Sequence, residues 1–238
     1  MAEPAKRAVL VIDDDKMVQR YAEEFFRGLK FTFYSACDGY EGLKLALSFK
    51  PDLILLDIMM PRLDGIKTLQ VIKANELTKD IPVVVITAYS DRINVVSAGK
   101  LGATAVITKP LTDKIFFDKL KQIFGDKFVR SVIPRDPKET DNPFGVKEDE
   151  YNDVVSGMVE EFLNYYSELV NNLEKAVAEK NVDVIRKITH NICGSGGSFG
   201  YGEATALAIR LNDLVHASPI EWNEAEEILI MLKNKLQR

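Results

Sequence analysis

The feature that most constrains this chain is a strict alternation that begins near Ala8 and ends near Phe124. Apolar runs at 9–12 (VLVI), 31–36, 53–56 (LILL), 83–86 (VVVI) and 105–107 each precede a stretch whose apolar residues recur at helical spacing. The helical stretches are 16–29, 40–49, 66–74, 92–100 and 113–124. Short runs that are apolar without interruption read as strands buried on both faces. Five βα units in succession require a parallel sheet wound right-handed, with helices on both faces. The expected fold of the first half is therefore an α/β doubly wound five-stranded parallel sheet.

After Gly125 the alternation stops. Residues 128–147 hold Pro134, Pro137 and Pro143 among charged side chains and read as a linker. Beyond it every periodic segment is helical, at 151–179, 182 to about 199, 203–216 and 221–236, with breaks at Asn181 and Pro219. Short breaks join antiparallel neighbours, so an all-α four-helix bundle is expected, with a kink or short extra helix near Gly157. The resulting division is 6–127, a linker at 128–147, and 148–238.

Cys37 and Cys193 lie far apart, with neither disulfide nor metal-ligand spacing, which suits a reducing, cytoplasmic setting. The apolar run near the start is only five residues long before three aspartates, too short for a signal peptide. No run approaches a membrane span, so no membrane insertion is expected. Residues 1–127 carry a net charge of +2 and residues 128–238 carry −7. That acidic second half argues against nucleic acid as a partner.

Polar groups collect where the strands of the first half run out. Asp13 and Asp14 follow 9–12, Asp57 follows 53–56, Thr87 follows 83–86, and Lys109 follows the fifth run. In a parallel sheet those ends share one edge, where open α/β folds bind ligands. Three carboxylates so close would raise one another's pKa unless a cation shares the site. Mg²⁺ suits such a set, because it takes one or two carboxylates together with a phosphate. A phosphoryl group arriving on Asp57 would then meet the metal, an ammonium and a hydroxyl together.

Residues 7–125 resemble the receiver domain of two-component response regulators, a flavodoxin-like fold. The match lies in VIDDDK after the first strand, LLDIMMPRLDG around Asp57, ITA after the fourth strand and Lys-Pro after the fifth. The resemblance implies Asp57 as phosphoacceptor, with Asp14, Asp57 and the Met59 carbonyl as Mg²⁺ ligands and Asp13 assisting through water. It also implies Thr87 on a phosphoryl oxygen and Lys109 paired to the phosphate; Asp15 is read as a helix cap. Receivers commonly carry an aromatic residue three before the lysine, where this chain has Val106. Met59 and Tyr89 flank the site and are expected to shield an acyl phosphate from water.

In the second half, Val182, Ile185, Ile188 and Ile192 form an apolar stripe, and His190 lies about 200° round from Ile188, which points it to solvent. Gly194 and Gly197 follow on the face of His190, at a cost to the helix of about 1 kcal/mol each. They are read as a bare strip over which another surface approaches the imidazole. The stretch THNICGSGGSFGYGEATALAIRL resembles the histidine-containing phosphotransfer (Hpt) domain, over about 148–238. That resemblance implies His190 as a phosphohistidine. Family members often carry Lys three residues after the His, where this chain has Cys193; Arg186 and Lys187 are expected to supply positive charge instead.

Together the two resemblances imply a Mg²⁺-dependent phosphorelay protein, a phosphotransfer protein rather than a kinase. A sensor histidine kinase and another receiver domain are the expected partners. The alternative is a phosphorylation-gated binding module whose bundle only docks.

Overall fold

The computed structural model describes residues 7–87, 92–132, 148–199 and 201–236, with side chains excepted at 92–94, 148–159 and 236. The chain divides into two compact units, Met1–Tyr151 and Asn152–Arg238. Among the described residues no helix is long and apolar enough to cross a membrane.

In the first unit the strands are β1 (Ala8–Ile12), β2 (Thr32–Ala36), β3 (Leu53–Asp57), β4 (Val83–Thr87) and β5 (Ala105–Thr108). They form one parallel sheet in the order β2-β1-β3-β4-β5. Helices α1 (Lys16–Gly28), α2 (Gly39–Phe49), α3 (Gly65–Ala74), α4 (Arg92–Lys100) and α5 (Asp113–Phe124) follow the strands in turn.

The uninterrupted apolar strands are explained by where alternate residues go. Val9, Val11, Leu53, Leu55, Val84 and Ile86 face a core that includes Phe25, Phe26, Phe116 and Leu120 of α1 and α5. Leu10, Ile12, Ile54, Leu56, Val83 and Val85 face a second core that includes Ala46, Leu69, Ile72 and Ala98 of α2, α3 and α4. Burying each such aliphatic side chain is worth about 1.5–3 kcal/mol, which a strand with one wet face could collect on only half its residues. The helix starts are capped locally: Asp15, Asp38, Asp64 and Thr112 accept from the N–H groups of Met17, Glu41, Lys67 and Ile115.

One segment departs from expectation. Residues 128–132, read above as the start of the linker, are helical within α6 (Asp126–Val132). Val129 is buried in the first core, with Phe128 and Val132 packed against it. Phe128 meets Phe31 edge-on at 6.0 Å and Phe124 at 5.0 Å, and the Arg7 guanidinium lies 4.7 Å from its ring. Proline clustering begins only at Pro134, so composition averaged over the whole stretch hid a short amphipathic turn. The prolines themselves lie outside the described residues.

From residue 152 on, the second unit holds the greater part of α7 (Glu148–Ala178), then α8 (Val182–Ser195), a 3₁₀ turn (Gly196–Phe199), α9 (Gly202–Leu214) and α10 (Trp222–Leu236), consistent with the expected bundle. Phe162, Tyr166 and Leu173 of α7 are fully buried, as are Ile185 and Ile192 of α8, Leu211 of α9 and Leu232 of α10. No separate short helix occurs near Gly157, because α7 runs through it as one 31-residue element. A single glycine's helix penalty of about 1 kcal/mol is small beside the apolar face α7 buries.

Candidate functional sites

The parallel register carries β1, β3, β4 and β5 to the same edge, where Asp57 pairs with Ile86 and Thr87 with Thr108. Asp13 continues from β1, its N–H bonded to Ala36 O at 3.1 Å. Lys109 continues from β5, its N–H bonded to Thr87 O at 2.8 Å. Lys109 Nζ thereby stands 3.1 Å from Asp13 Oδ2 and 3.1 Å from Asp57 Oδ1, and these side chains are essentially sealed from solvent. Thr87 is buried at the same edge.

Carboxylate oxygens of Asp13, Asp14 and Asp57 lie within 4.8 Å of one another, with Asp14 half-buried. Burial pushes the Asp13 carboxyl well above its ordinary value, with repulsion from Asp57 and Asp15 adding to the shift and Lys109 opposing it. Burial alone would pull Lys109 down, but Asp13 and Asp57 outweigh it and hold the ammonium above the usual lysine range. Three carboxylates against one ammonium leave the described cluster short of positive charge. Its hard-oxygen donor set fits a divalent cation such as Mg²⁺.

Two glycines set how closely the segments behind this edge approach one another. Gly65 stands where a Cβ would meet Asp57 O at 2.0 Å and Ile58 Cα at 2.7 Å, and its N–H bonds Ile58 O at 2.9 Å. Only a glycine lets α3 start so close behind the end of β3. Gly39 is similar, its Cβ position lying 2.0 Å from Thr68 Oγ1 and 2.9 Å from Leu63 O. Both glycines follow an aspartate helix cap, and that Asp-Gly pair is the signal that could have found them. The Met59 N–H donates to Asp57 Oδ2 at 2.9 Å, while the Met59 side chain is 51% exposed. Val106 is half-buried beside Val85, with no aromatic ring at that position, and Tyr89 lies outside the described residues.

In the second unit the expected solvent-facing histidine is corrected. His190 is half-buried, and its Nε2 is covered. The stripe of aliphatic residues understated the buried arc of α8, which also contains Thr189, Asn191, Gly194 and Ser195. Local bonds make those polar residues tolerable inside: Thr189 Oγ1 donates to Ile185 O at 2.9 Å, Ser195 Oγ to Asn191 O at 2.9 Å, and Asn191 Nδ2 to Tyr165 Oη at 3.3 Å.

The glycine strip is corrected too, because Gly194 is inside the bundle and α8 gives way to the 3₁₀ turn immediately after Ser195. At Gly196 a Cβ would meet Thr205 Oγ1 at 2.7 Å and Tyr166 Oη at 3.3 Å, so that glycine admits α7 and α9 rather than a partner. Arg186 donates to Val215 O beyond α9 at 3.4 Å, Lys187 is exposed, and Cys193 Sγ lies 3.9 Å from Thr205 O. The structure thus brings Asp13, Asp14, Asp57 and Lys109 together, and it turns Arg186 and Cys193 toward α9.

Comparison with known proteins agrees with this division. Residues 9–121 match the response regulator receiver domain family, and residues 157–238 match the Hpt domain family. Protein PilG of Pseudomonas aeruginosa is 32% identical over 113 residues, covering 48% of this chain and 84% of that protein. Response regulator PleD of Caulobacter vibrioides is 34% identical over 121 residues, covering 51% of this chain and 27% of that protein. The chain spans about half the length, or less, of the first curated relatives it matches. Among solved structures, chemotaxis protein CheY4 of Vibrio cholerae aligns with 50% of this chain and 99% of its own at 22% identity and a TM-score of 0.48. The chain belongs to the response regulator receiver family through its first unit and carries an Hpt domain in its second.

Proposed function

We propose that this chain is a phosphorelay station that takes a phosphoryl group on Asp57 and carries one on His190. The observation that carries the reading is the Lys109 ammonium placed 3.1 Å from both Asp13 and Asp57 at the carboxyl edge of the sheet. An Asp57 carboxylate oxygen attacks the phosphorus of a sensor kinase's phosphohistidine; the new O–P bond forms as the N–P bond breaks, and the imidazole leaves. Lys109 and the Thr87 hydroxyl stabilise the charge on the phosphoryl oxygens. Asp14, Asp57 and the Met59 carbonyl would hold Mg²⁺, with Asp13 acting through water, and the ion when bound would neutralise phosphoryl charge.

At the second site a neutral nitrogen of His190 attacks an aspartyl phosphate, N–P forming as O–P breaks, and the carboxylate of the donor receiver is released. With Nε2 covered, attack by that nitrogen requires the imidazole to turn outward first. Lys187, and Arg186 once released from Val215 O, supply positive charge, and Gly194 adds no side chain four residues after His190. Met59 shields the acyl phosphate. Partners are therefore a sensor histidine kinase and a receiver domain, whether this chain's own or another's.

The covered Nε2 also favours a second reading, in which the bundle is a docking surface and His190 is never phosphorylated. Labelling the chain with a small-molecule phosphodonor and Mg²⁺ separates the two. The relay reading expects Asp57→Asn to abolish label on the first unit. It also expects an acid-labile, base-stable label on the second that His190→Gln removes. If no such label appears on His190 when a phosphorylated receiver is supplied, the docking reading stands instead.

A further inference from the structure

The loop from Met59 to Asp64 leaves β3 beside the acidic crevice, with the Met59 N–H bonded to Asp57 Oδ2 at 2.9 Å, and it is held at several points. Gly65 N–H closes on Ile58 O at 2.9 Å, and Leu63 N–H makes a tight turn on Pro61 O at 2.9 Å. Arg62 sits between them at φ +67°, in the left-handed region that disfavours residues with a Cβ. A non-glycine residue persists there only where its surroundings hold it.

The Arg62 side chain meets Asp38. The Arg62 guanidinium forms an ion pair with Asp38 Oδ2, while Asp38 Oδ1 accepts the Glu41 N–H at 3.0 Å and caps α2. Asp38 is 1% exposed while the Arg62 side chain is 66% exposed, so the pair joins a sealed carboxylate to a guanidinium at the surface. Beside it, the Gly39 Cβ position falls 2.9 Å from Leu63 O. The start of α2 and the middle of the loop are therefore in direct backbone contact, with the ion pair across the junction.

We infer that the Asp38–Arg62 ion pair is a positioning pair for the crevice cation, strapping the β3–α3 loop to α2 so that the Met59 carbonyl is in place before the ion arrives. The inference rests on the reading of the crevice as a divalent-cation site. A backbone carbonyl serves as a ligand only as well as its loop is placed. A loop ordered in advance spares binding the entropy of ordering it.

Calorimetric titration of the full chain with Mg²⁺ alone tests this. Arg62→Ala and Asp38→Asn should each weaken Mg²⁺ binding about tenfold, the range seen when groups supporting metal ligands are removed. Asparagine caps a helix about as well as aspartate, so Asp38→Asn removes the strap and leaves the cap. The double variant should be no weaker than either single one, and Arg62→Lys should recover most of the affinity. In phosphodonor labelling of Asp57, the Mg²⁺ needed for half-maximal rate should rise by the same factor while the rate at saturating Mg²⁺ holds. A merely structural pair would lower the melting temperature without that split.

Wild-type Mg²⁺ affinity in both single variants, alongside a wild-type chain that binds and an Asp14→Asn chain that does not, overturns the strap and leaves the crevice reading intact. A wild-type chain that binds no Mg²⁺ overturns the crevice reading, and the strap with it.

Discussion

At the scale of the residue, the crevice depends as much on atoms that are absent as on charged ones. Gly65 has no Cβ, and the place where one would sit is 2.0 Å from the Asp57 carbonyl. Gly65→Ala should therefore destabilise the first unit by about 1–3 kcal/mol, the usual cost of overpacking a site that cannot yield. Urea denaturation reads this directly, and phosphodonor labelling of Asp57 should fall with it because the end of β3 must shift. Gly99, inside α4, is the contrasting case: nothing lies within 4 Å of its Cβ position. Gly99→Ala should leave labelling unchanged and stabilise by about 0.5–1 kcal/mol through helix propensity. The acids and Lys109 were legible from one sequence because they stand at the ends of apolar runs. Gly65 and Gly39 were not, since a glycine after aspartate is also an ordinary turn until the backbone opposite is known.

At the scale of the element, capping and aromatic contacts decide where helices begin and end. Asp64 accepts the Lys67 N–H at 2.8 Å at the start of α3. Slight burial works against its charge, but that bond and the Lys67 ammonium hold the carboxyl below its ordinary value. A carboxyl lowered on folding stabilises above its unfolded pKa, and the benefit disappears as pH falls through the folded one. Asp64→Ala should thus cost about 1 kcal/mol at pH 7 and progressively less below about pH 4. Denaturation midpoints of the two chains that fail to converge in acid would contradict this. For α6, Phe128→Ala removes a ring set between Phe31, Phe124 and Arg7. Because that ring is only partly buried, the expected loss is about 2 kcal/mol, below the range for a full core phenylalanine, and it is measurable by thermal melting. The four bundle helices were legible from apolar periodicity. The buried arc of α8 was not, because Thr189, Asn191 and Ser195 enter the interior by bonding to neighbours that no count of aliphatic residues includes.

At the scale of the whole molecule, a receiver unit and an Hpt unit share a chain, and the relay reading requires that a phosphoryl group can pass between an aspartate and His190. His190→Gln chains labelled on Asp57, freed of donor and mixed with Asp57→Asn chains, should lose label as acid-labile phosphate appears on His190 of the second population. Label that only decays to inorganic phosphate in such a mixture excludes this exchange between chains. The order of elements, the two-faced burial of the strands and the collection of acids and lysine at one edge were determined by the sequence alone. All three follow from local periodicity and the one handedness that βα units allow. Only the tertiary structure decided that residues 128–132 close the first unit as a helix and that His190 lies half-covered. It alone showed that Asp38 reaches Arg62 across the loop behind Asp57. Each of these depends on which surfaces meet across long stretches of chain, and a one-dimensional pattern carries the chemistry of a surface without naming what lies against it.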